Sequence, residues 1–279
     1  MTVLRLVRRS TVVLCALLVM SAAAQGQTAQ KPQQKFEPQV GQAGKDVVWV
    51  PTSEALVTRM LDLAKVTAKD YVIDLGSGDG RTVIAAAKRG ARAHGIEYNP
   101  EMVALAKERA AEAGVADRAT FEKADLFESD FSKATVITMF LLPSINVKLR
   151  PKLLDLAPGT RVVSNTFTME DWSADETSTV EGDCSSWCTA LLWIVPAKVG
   201  GTWQFPQGHI TLSQQFQMVT GTLKAGTNGG AISEGRLRGS ELTFTVNGTH
   251  YTARVNGNTM EGSAGTGTAK KPFKATRVG

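Results

Sequence analysis

The sequence predicts an α/β fold: a Rossmann-like, mainly parallel sheet with helices on both faces, followed by a small antiparallel β-barrel or sandwich domain. Two patterns in the chain predict this arrangement. Apolar strands alternate with amphipathic helices between residues 53 and 167, as in right-handed βαβ units. After residue 196 helical periodicity ends, glycine is frequent, and short alternating runs are separated by hairpin turns.

The first residues differ in composition from the rest of the chain. Three arginines precede a short apolar run, which predicts a signal peptide over residues 1–24 and an exported protein, periplasmic or secreted. An uncleaved membrane anchor is the alternative, although a spanning helix needs about 20 apolar residues. The polar residues 25–46 predict a flexible linker. The two predicted domains then cover residues 47–196 and 197–279.

The charge is distributed unevenly between the predicted domains. The net charge of +5 falls to +2 without residues 1–24, because that segment holds three arginines and no acid. Residues 197–279 contain nine basic and three acidic side chains, a net charge of +6, whereas residues 25–196 carry a net charge of −4. The small overall excess argues against a nucleic acid as partner. The basic second domain favours association with the first domain or with an anionic envelope surface, an attraction that salt screens.

Periodicity and terminal residues predict the individual helices and strands. Thr52 is the expected cap of a first helix at 53–65, and Asn99-Pro100 begins a later helix. Strands are predicted at residues 71–75, 91–97, 119–123, 135–142 and 161–167, and further helices at 82–88, 100–113 and 144–156. In the second domain, Asn247-Gly248 and Asn256-Gly257 are the expected two-residue turns of a structure with about six to eight strands.

A glycine-rich turn follows the first predicted strand. It reads Asp74-Leu75-Gly76-Ser77-Gly78-Asp79-Gly80-Arg81, and its glycines would let a ligand lie against backbone N–H groups at the start of the next helix. The spacing differs from the G-x-G-x-x-G of dinucleotide enzymes. Glu97 and Asp125 stand at the ends of the next two strands, where Glu97 would accept hydrogen bonds from ribose hydroxyls and Asp125 with Leu126 would border an adenine. The pattern predicts a nucleoside cofactor.

These segments, together with Gly95-Ile96-Glu97 and Ala124-Asp125, resemble motifs I to III of class I S-adenosylmethionine-dependent methyltransferases. A closer resemblance is to the mitochondrial lysine methyltransferases that modify the adenine nucleotide translocase and the ATP synthase c-subunit, and to their bacterial relatives. The segments that carry it lie within residues 47–196, at 50–52, 74–81, 138–143, 148–154 and 171–172.

The resemblance implies S-adenosyl-L-methionine as the cofactor and a protein lysine as the methyl acceptor. It implies that the cofactor is held by Asp74, Gly76, Ser77, Gly78, Gly80, Glu97, Asp125, Leu126 and Phe140. It also places residues 50–52 and 140–143 beside the cofactor and the entering nucleophile. The alternatives are a small-molecule methyltransferase, a non-catalytic S-adenosylmethionine-binding protein and a nucleotide-dependent oxidoreductase, and the oligomeric state stays open.

Candidate catalytic residues follow from the chemistry of methyl transfer. The reaction is an in-line displacement at a sulfonium methyl group, so the protein has to align the acceptor more than to supply a particular side chain. No NPPY-type motif of amino methyltransferases follows the fourth strand. Thr52, Asp79 and Asn165 are the candidates, and ordinary cap, turn and strand-end hydrogen bonding is the alternative role for each.

Cysteine and tryptophan residues suggest two further features. Cys184 and Cys188 are the only cysteines beyond the leader, and they are expected to form a disulfide in an exported protein, with two free thiols as the alternative. No metal site is expected, because no second Cys or His pair lies at ligand spacing. Trp187, Trp193 and Trp203 are expected to cluster where the two domains meet, with stacking on a substrate as the alternative.

Overall fold

A computed structural model describes residues 36–226 and 229–278 of the chain. The predicted signal peptide and the first part of the predicted linker lie outside these residues. None of the described helices has the length and apolar composition needed to cross a membrane.

A seven-stranded sheet with helices forms the first part of the structure. Its elements, in chain order, are α1 (Glu54–Leu63), β1 (Tyr71–Leu75), α2 (Arg81–Lys88), β2 (Arg92–Glu97), α3 (Pro100–Glu112), β3 (Ala119–Lys123), β4 (Val136–Met139), α4 (Pro143–Leu154), β5 (Arg161–Asn165), β6 (Glu176–Thr179) and β7 (Thr189–Ile194). The spatial order is β3-β2-β1-β4-β5-β7-β6, in which the first five strands are parallel and the last two are antiparallel. The Rossmann-like, mainly parallel sheet is therefore confirmed, and the structure adds the hairpin of β6 and β7.

The helix caps follow the local sequence with one exception. Asn99 caps α3 as expected, and its side chain accepts a hydrogen bond from the backbone N–H of Glu101 at 2.8 Å. The prediction that Thr52 caps α1 is wrong. Ser53 is the cap, and its side-chain hydroxyl accepts a hydrogen bond from the backbone N–H of Leu56 at 3.3 Å. The Thr52 side chain is thereby free to make a different contact, described with the site.

The second part of the structure is a closed antiparallel barrel. Its strands are β8 (Gly201–Phe205), β9 (Gly208–Gln215), β10 (Met218–Lys224), β11 (Gly230–Ala231), β12 (Ser233–Arg238), β13 (Glu241–Val246), β14 (Thr249–Asn256), β15 (Thr259–Thr266) and β16 (Ala269–Val278). Eight strands follow one another around the barrel, β16 pairs with β8 to close it, and the short β11 pairs with β10. Trp203, Leu242, Phe244 and Met260 lie fully buried in its core. The expected small antiparallel β domain is confirmed.

Two-residue turns connect most of the barrel strands. Asn247 and Gly248 join β13 to β14 with positive φ at both residues, 47° and 75°, as a tight hairpin turn of this hand requires. The second expected turn is wrong by one residue: Asn256 pairs with Thr259, so Gly257 and Asn258 form the turn.

The sheet and the barrel pack against each other through aromatic and charged side chains. The Trp172 ring stacks on Phe216 with 5.8 Å between centroids. Arg236 of the barrel is 2.7 Å from buried Asp175. The expected cluster of three tryptophans is wrong. Trp193 packs against Trp172, whereas Trp203 lies in the barrel core, and Trp187 lines the cavity described below.

Gly262 tests the tight coiling of the barrel. A Cβ at this position would lie 1.9 Å from the carbonyl oxygen of Thr252 on the neighbouring strand. Gly262→Ala should therefore lower the free energy of unfolding by about 1–3 kcal/mol, the usual cost of overpacking. Gly200→Ala is the matched control, since the nearest atom to its added Cβ is 4.0 Å away. Denaturant unfolding of both variants measures the difference, and equal stability would contradict the assigned register.

Candidate functional site

A cavity of about 280 Å³ lies at the carboxyl ends of the parallel strands. It receives every predicted cofactor-binding residue except Gly80, and these are Asp74, Gly76, Ser77, Gly78, Glu97, Asp125, Leu126 and Phe140. Of the candidate catalytic residues, Thr52 and Asp79 line the cavity, and Asn165 lies behind Thr52. Gly80 serves packing instead, because a Cβ there would lie 2.8 Å from both Ala106 and the Phe121 ring.

The glycine-rich turn presents backbone to the cavity. Gly76 and Gly78 both have positive φ, 76° and 52°, which glycine adopts without strain. The Trp49 ring covers the turn so closely that a Cβ on Gly78 would lie 2.6 Å from the indole nitrogen. The turn therefore offers a narrow slot lined by backbone and by one aromatic ring.

Glu97 is fixed by two backbone groups at the edge of the slot. One carboxylate oxygen accepts from the N–H of Gly78 and the other from the N–H of Asn99, each at 2.9 Å. A carboxylate has about four lone-pair positions, so about two remain for further donors. A pair of vicinal ribose hydroxyls supplies donors of this kind, and Glu97 thus fits its predicted role.

Asp74 is a buried acid beside two others. Its carboxylate accepts a 2.6 Å hydrogen bond from the Thr138 hydroxyl. Burial, together with the negative charges of Glu97 and Asp79, raises the pKa of Asp74 to about 7, although the bond from Thr138 opposes the rise. Around neutral pH the acid is therefore partly protonated, and a cation in the cavity would favour its ionised form.

Asp79 is held ionised by two arginines. Its side chain is only 2% exposed; Arg81 donates to it at 2.7 Å, and Arg109 forms a second ion pair with it. Burial alone would raise the pKa of Asp79, but the hydrogen bonds and charges of the two arginines hold it below its usual range. An acid of lowered pKa with its oxygens engaged is a poor proton acceptor, which argues against Asp79 as a catalytic base.

Residues 42–49, most of which precede the predicted domain boundary at residue 47, complete one wall of the cavity. Ala43 and Val48 pair in a short bridge, and residues 42–49 line the site. Lys45 forms an ion pair with Asp125 and lies 5.1 Å from the centre of the Tyr98 ring. The bond to Asp125 raises the pKa of Lys45, and the same bond lowers that of Asp125. Nothing in the polar composition of residues 25–46 indicates this wall, and it covers the acid predicted to border the adenine.

Thr52 and three aromatic residues also line the cavity. The side-chain amide of Asn165 donates to the Thr52 hydroxyl at 3.2 Å, and both residues are buried. The Phe140 ring lies 5.8 Å from Phe167 and 6.0 Å from Trp187, centre to centre. The family resemblance predicts a place for Phe140 in the site, whereas no pattern in the sequence gives Phe167 such a role.

This fold and site define a Rossmann-like, S-adenosylmethionine-dependent methyltransferase. The backbone slot, the fixed carboxylate of Glu97 and the cluster of acids suit a cofactor with a ribose and cationic groups. The family model of the ANTKMT methyltransferase domain matches residues 74–176. A protein-lysine N-methyltransferase of Saccharolobus islandicus is 48% identical over 138 residues, which cover 48% of this chain and 86% of the relative. The chain therefore belongs to the family of ANTKMT-type methyltransferases. This assignment excludes the alternative hypothesis of a nucleotide-dependent oxidoreductase.

Two further comparisons show how far the similarity extends. A Mus musculus relative, named as the lysine N-methyltransferase of the ATP synthase c-subunit, is 41% identical over 117 residues, so this chain spans about half of that relative, 47% of its length. A crystal structure described as an RNA methyltransferase from Salinibacter ruber in complex with S-adenosyl-L-homocysteine is 51% identical, with a TM-score of 0.51. The matched region covers 54% of this chain and 96% of the Salinibacter chain.

Glu97→Ala tests the placement of the ribose. Loss of hydrogen bonds to a charged acceptor should weaken S-adenosylmethionine binding by about 1–3 kcal/mol, which corresponds to about five- to 150-fold in Kd. Glu122→Ala is the control, because Glu122 is an exposed acid on the neighbouring strand. Calorimetry measures both affinities, with melting temperatures to check the fold. Unchanged affinity in Glu97→Ala would exclude Glu97 as a ribose ligand.

Asp74 gives cofactor binding a pH dependence. Its pKa of about 7 means that the folded protein holds a proton that the unfolded chain releases near pH 4, so this group lowers stability as pH rises between those values. A cationic cofactor favours the ionised acid, and its affinity should increase by up to about tenfold per pH unit below the pKa. Asp74→Asn should flatten this dependence between pH 6 and 8. Calorimetric titrations at several pH values would refute the assignment if wild type and variant gave parallel curves.

Proposed function

We propose that this protein transfers a methyl group from S-adenosylmethionine to the side-chain amine of a protein lysine. The observation that carries the proposal is the similarity to the archaeal relative, named a protein-lysine N-methyltransferase, along most of that relative's length. The mouse relative is also named a lysine methyltransferase, although the similarity covers less of it.

The charge at the cavity entrance supports a basic acceptor. The loop between β6 and β7 carries exposed Glu181 and Asp183 and brings Trp187 to the cavity. Residues 181–188 contain two acids, Glu181 and Asp183, and no Lys or Arg. A negative rim attracts a lysine-bearing segment and repels the phosphates of a nucleic acid. RNA is nevertheless the second candidate acceptor, because the similar Salinibacter structure is described as an RNA methyltransferase.

The described side chains align an acceptor without supplying a strong base. The cofactor provides a sulfonium methyl group, which a neutral amine accepts through its lone pair as the carbon–sulfur bond breaks. Asp79 is occupied by two arginines, and within the described part of the chain no histidine lines the cavity. Thr52, fixed by Asn165, orients the wall beside the acceptor. The lysine would therefore lose its proton to solvent before it reacts.

Export and envelope association belong to the same proposal. A disulfide joins Cys184 and Cys188, as the sequence predicts, and such bonds persist in oxidising compartments. Lys270 and Lys271 add exposed positive charge to the barrel, which supports contact with an acidic partner or an anionic envelope surface. The barrel would then position the acceptor while the sheet holds the cofactor.

Radiolabelled S-adenosylmethionine tests the acceptor class. The protein should label poly-L-lysine, mass spectrometry should locate the methyl group on the side-chain nitrogen, and total bacterial RNA should stay unlabelled. Because lysine titrates near pH 10.4, kcat/KM should rise about tenfold per pH unit between pH 7 and 9. Gly78→Val is the negative control, since its side chain would collide with the Trp49 ring in the slot. Label in RNA alone would replace lysine by the second candidate.

A charge reversal separates the basic acceptor from the anionic one. Combined Glu181→Lys and Asp183→Lys should raise KM for poly-L-lysine and leave cofactor affinity unchanged, because both residues belong to the exposed loop that carries Trp187 and neither lines the cavity. Combined Asp117→Lys and Glu122→Lys is the control with the same change of net charge: Asp117 precedes β3 and Glu122 lies on it, at the opposite edge of the sheet, and each side chain is 65% exposed. An equal effect of both changes would show that net charge, not the rim, governs acceptor binding.

A further inference from the structure

The loop that carries Trp187 is closed by a backbone hydrogen bond at its base and by a disulfide between two of its own residues. We define the Trp187 loop as residues 181–188, between β6 and β7. At its base the N–H of Val180 donates to the carbonyl of Cys188 at 2.9 Å. Within it the disulfide joins Cys184 to Cys188, with 5.7 Å between their Cα atoms. Trp187 directly precedes the second cysteine, so the disulfide restricts the backbone that aims its side chain.

Trp187 is placed at the cavity rather than in a core. Trp187 is 44% exposed, whereas three of the other tryptophans, Trp172, Trp193 and Trp203, are fully buried. It has a positive φ of 53°, which is uncommon for a bulky residue. Trp187 thus leaves much of a large aromatic surface uncovered at the entrance of a binding site, which hydrophobic packing alone does not account for.

Three strand ends bring aromatic rings together at this entrance. Phe140 follows β4, Phe167 follows β5, and Trp187 precedes β7. The Phe140 and Phe167 rings are nearly parallel, with 18° between their planes, and Trp187 is tilted by 59° to Phe140. The rings therefore form two walls of an aromatic corner on the cavity, and the acids Glu181 and Asp183 belong to the same loop as its outer wall.

We propose that Trp187 determines acceptor specificity: with Phe140 and Phe167 it holds the amine-bearing side chain, and the Cys184–Cys188 disulfide positions it. The proposal rests on the proposed function in that the acceptor is a lysine. The aliphatic stem of lysine packs on aromatic faces, and the ammonium or its methylated form is attracted by the ring quadrupole. A corner of this kind favours a cationic side chain and gives no advantage to a phosphate.

Kinetics of Trp187 variants test the role of the ring. Trp187→Ala should raise KM for poly-L-lysine by about five- to thirtyfold, the equivalent of one cation–π contact of about 1–2 kcal/mol. Trp187→Phe should recover most of the loss, and Kd for S-adenosylmethionine should stay within about twofold in both. Met218→Ala is the matched control, because Met218 is a large apolar residue, 50% exposed, on the barrel. An unchanged KM in Trp187→Ala would overturn the proposal.

A binding measurement keeps the result independent of turnover. The protein saturated with S-adenosylhomocysteine is titrated with Nα-acetyl trimethyllysine amide and with its neutral tert-butyl analogue. Tighter binding of the cation that disappears in Trp187→Ala supports the aromatic corner, even if poly-L-lysine is not methylated and the proposed function fails. Equal binding of both probes, or binding insensitive to Trp187, overturns the corner even if lysine is methylated.

The disulfide is tested by a double-mutant cycle. Replacing both Cys184 and Cys188 by Ser should raise KM for poly-L-lysine without changing cofactor affinity, as should reduction by dithiothreitol, which supplies two electrons and two protons to form two thiols. In the Trp187→Ala background the same replacement should have no further effect, because the disulfide acts through the ring. Additive effects would show that the bond acts elsewhere and would overturn its positioning role.

Discussion

The pairing of Asp79 with two arginines is the interaction on which the rest of the site depends. A buried carboxylate costs several kcal/mol unless charged partners and hydrogen bonds compensate it. Arg81 comes from the start of α2 and Arg109 from the last turn of α3, so the ion cluster ties the turn to both helices. Arg81 also donates to the carbonyl oxygen of Thr52 at 2.8 Å. One buried acid, through its two arginines, therefore fixes the glycine turn, two helices and the segment at Thr52.

Because the two arginines neutralise Asp79, Asp74 and Glu97 remain to interact with a ligand. Asp74 has a hydroxyl partner but no cation, and Glu97 is engaged by backbone N–H groups. The repulsion between them is relieved either by a proton on Asp74 or by a bound cation. A cofactor with a sulfonium and an ammonium group is such a cation, so the site exchanges a proton for its ligand.

The sequence predicts the parts of the site that local chemistry determines. The turn and the acids at consecutive strand ends are visible because parallel strands bring their carboxyl ends to one edge. The wall at residues 42–49 is not visible, since it depends on contacts between distant residues such as Lys45 and Asp125. The hairpin of β6 and β7 is missed because it breaks the βα alternation. The sequence predicts that Trp187 packs between the domains, but its side chain lines the cavity. The sequence does not show in which direction a loop of this kind extends from the sheet.

That hairpin also connects the barrel to the cavity. Among the described strands, β6 pairs within the sheet only with β7, which makes it the edge strand. Arg236 and Arg238 of the barrel form ion pairs with Asp175 and Glu176 at the start of β6, and the opposite end of the hairpin carries Trp187. The barrel thus holds one end of the hairpin, and the other end borders the cavity. If the acceptor binds at Trp187, as in the proposed function, contacts made by the barrel would affect acceptor binding at that end of the hairpin more directly than cofactor binding at the glycine-rich turn.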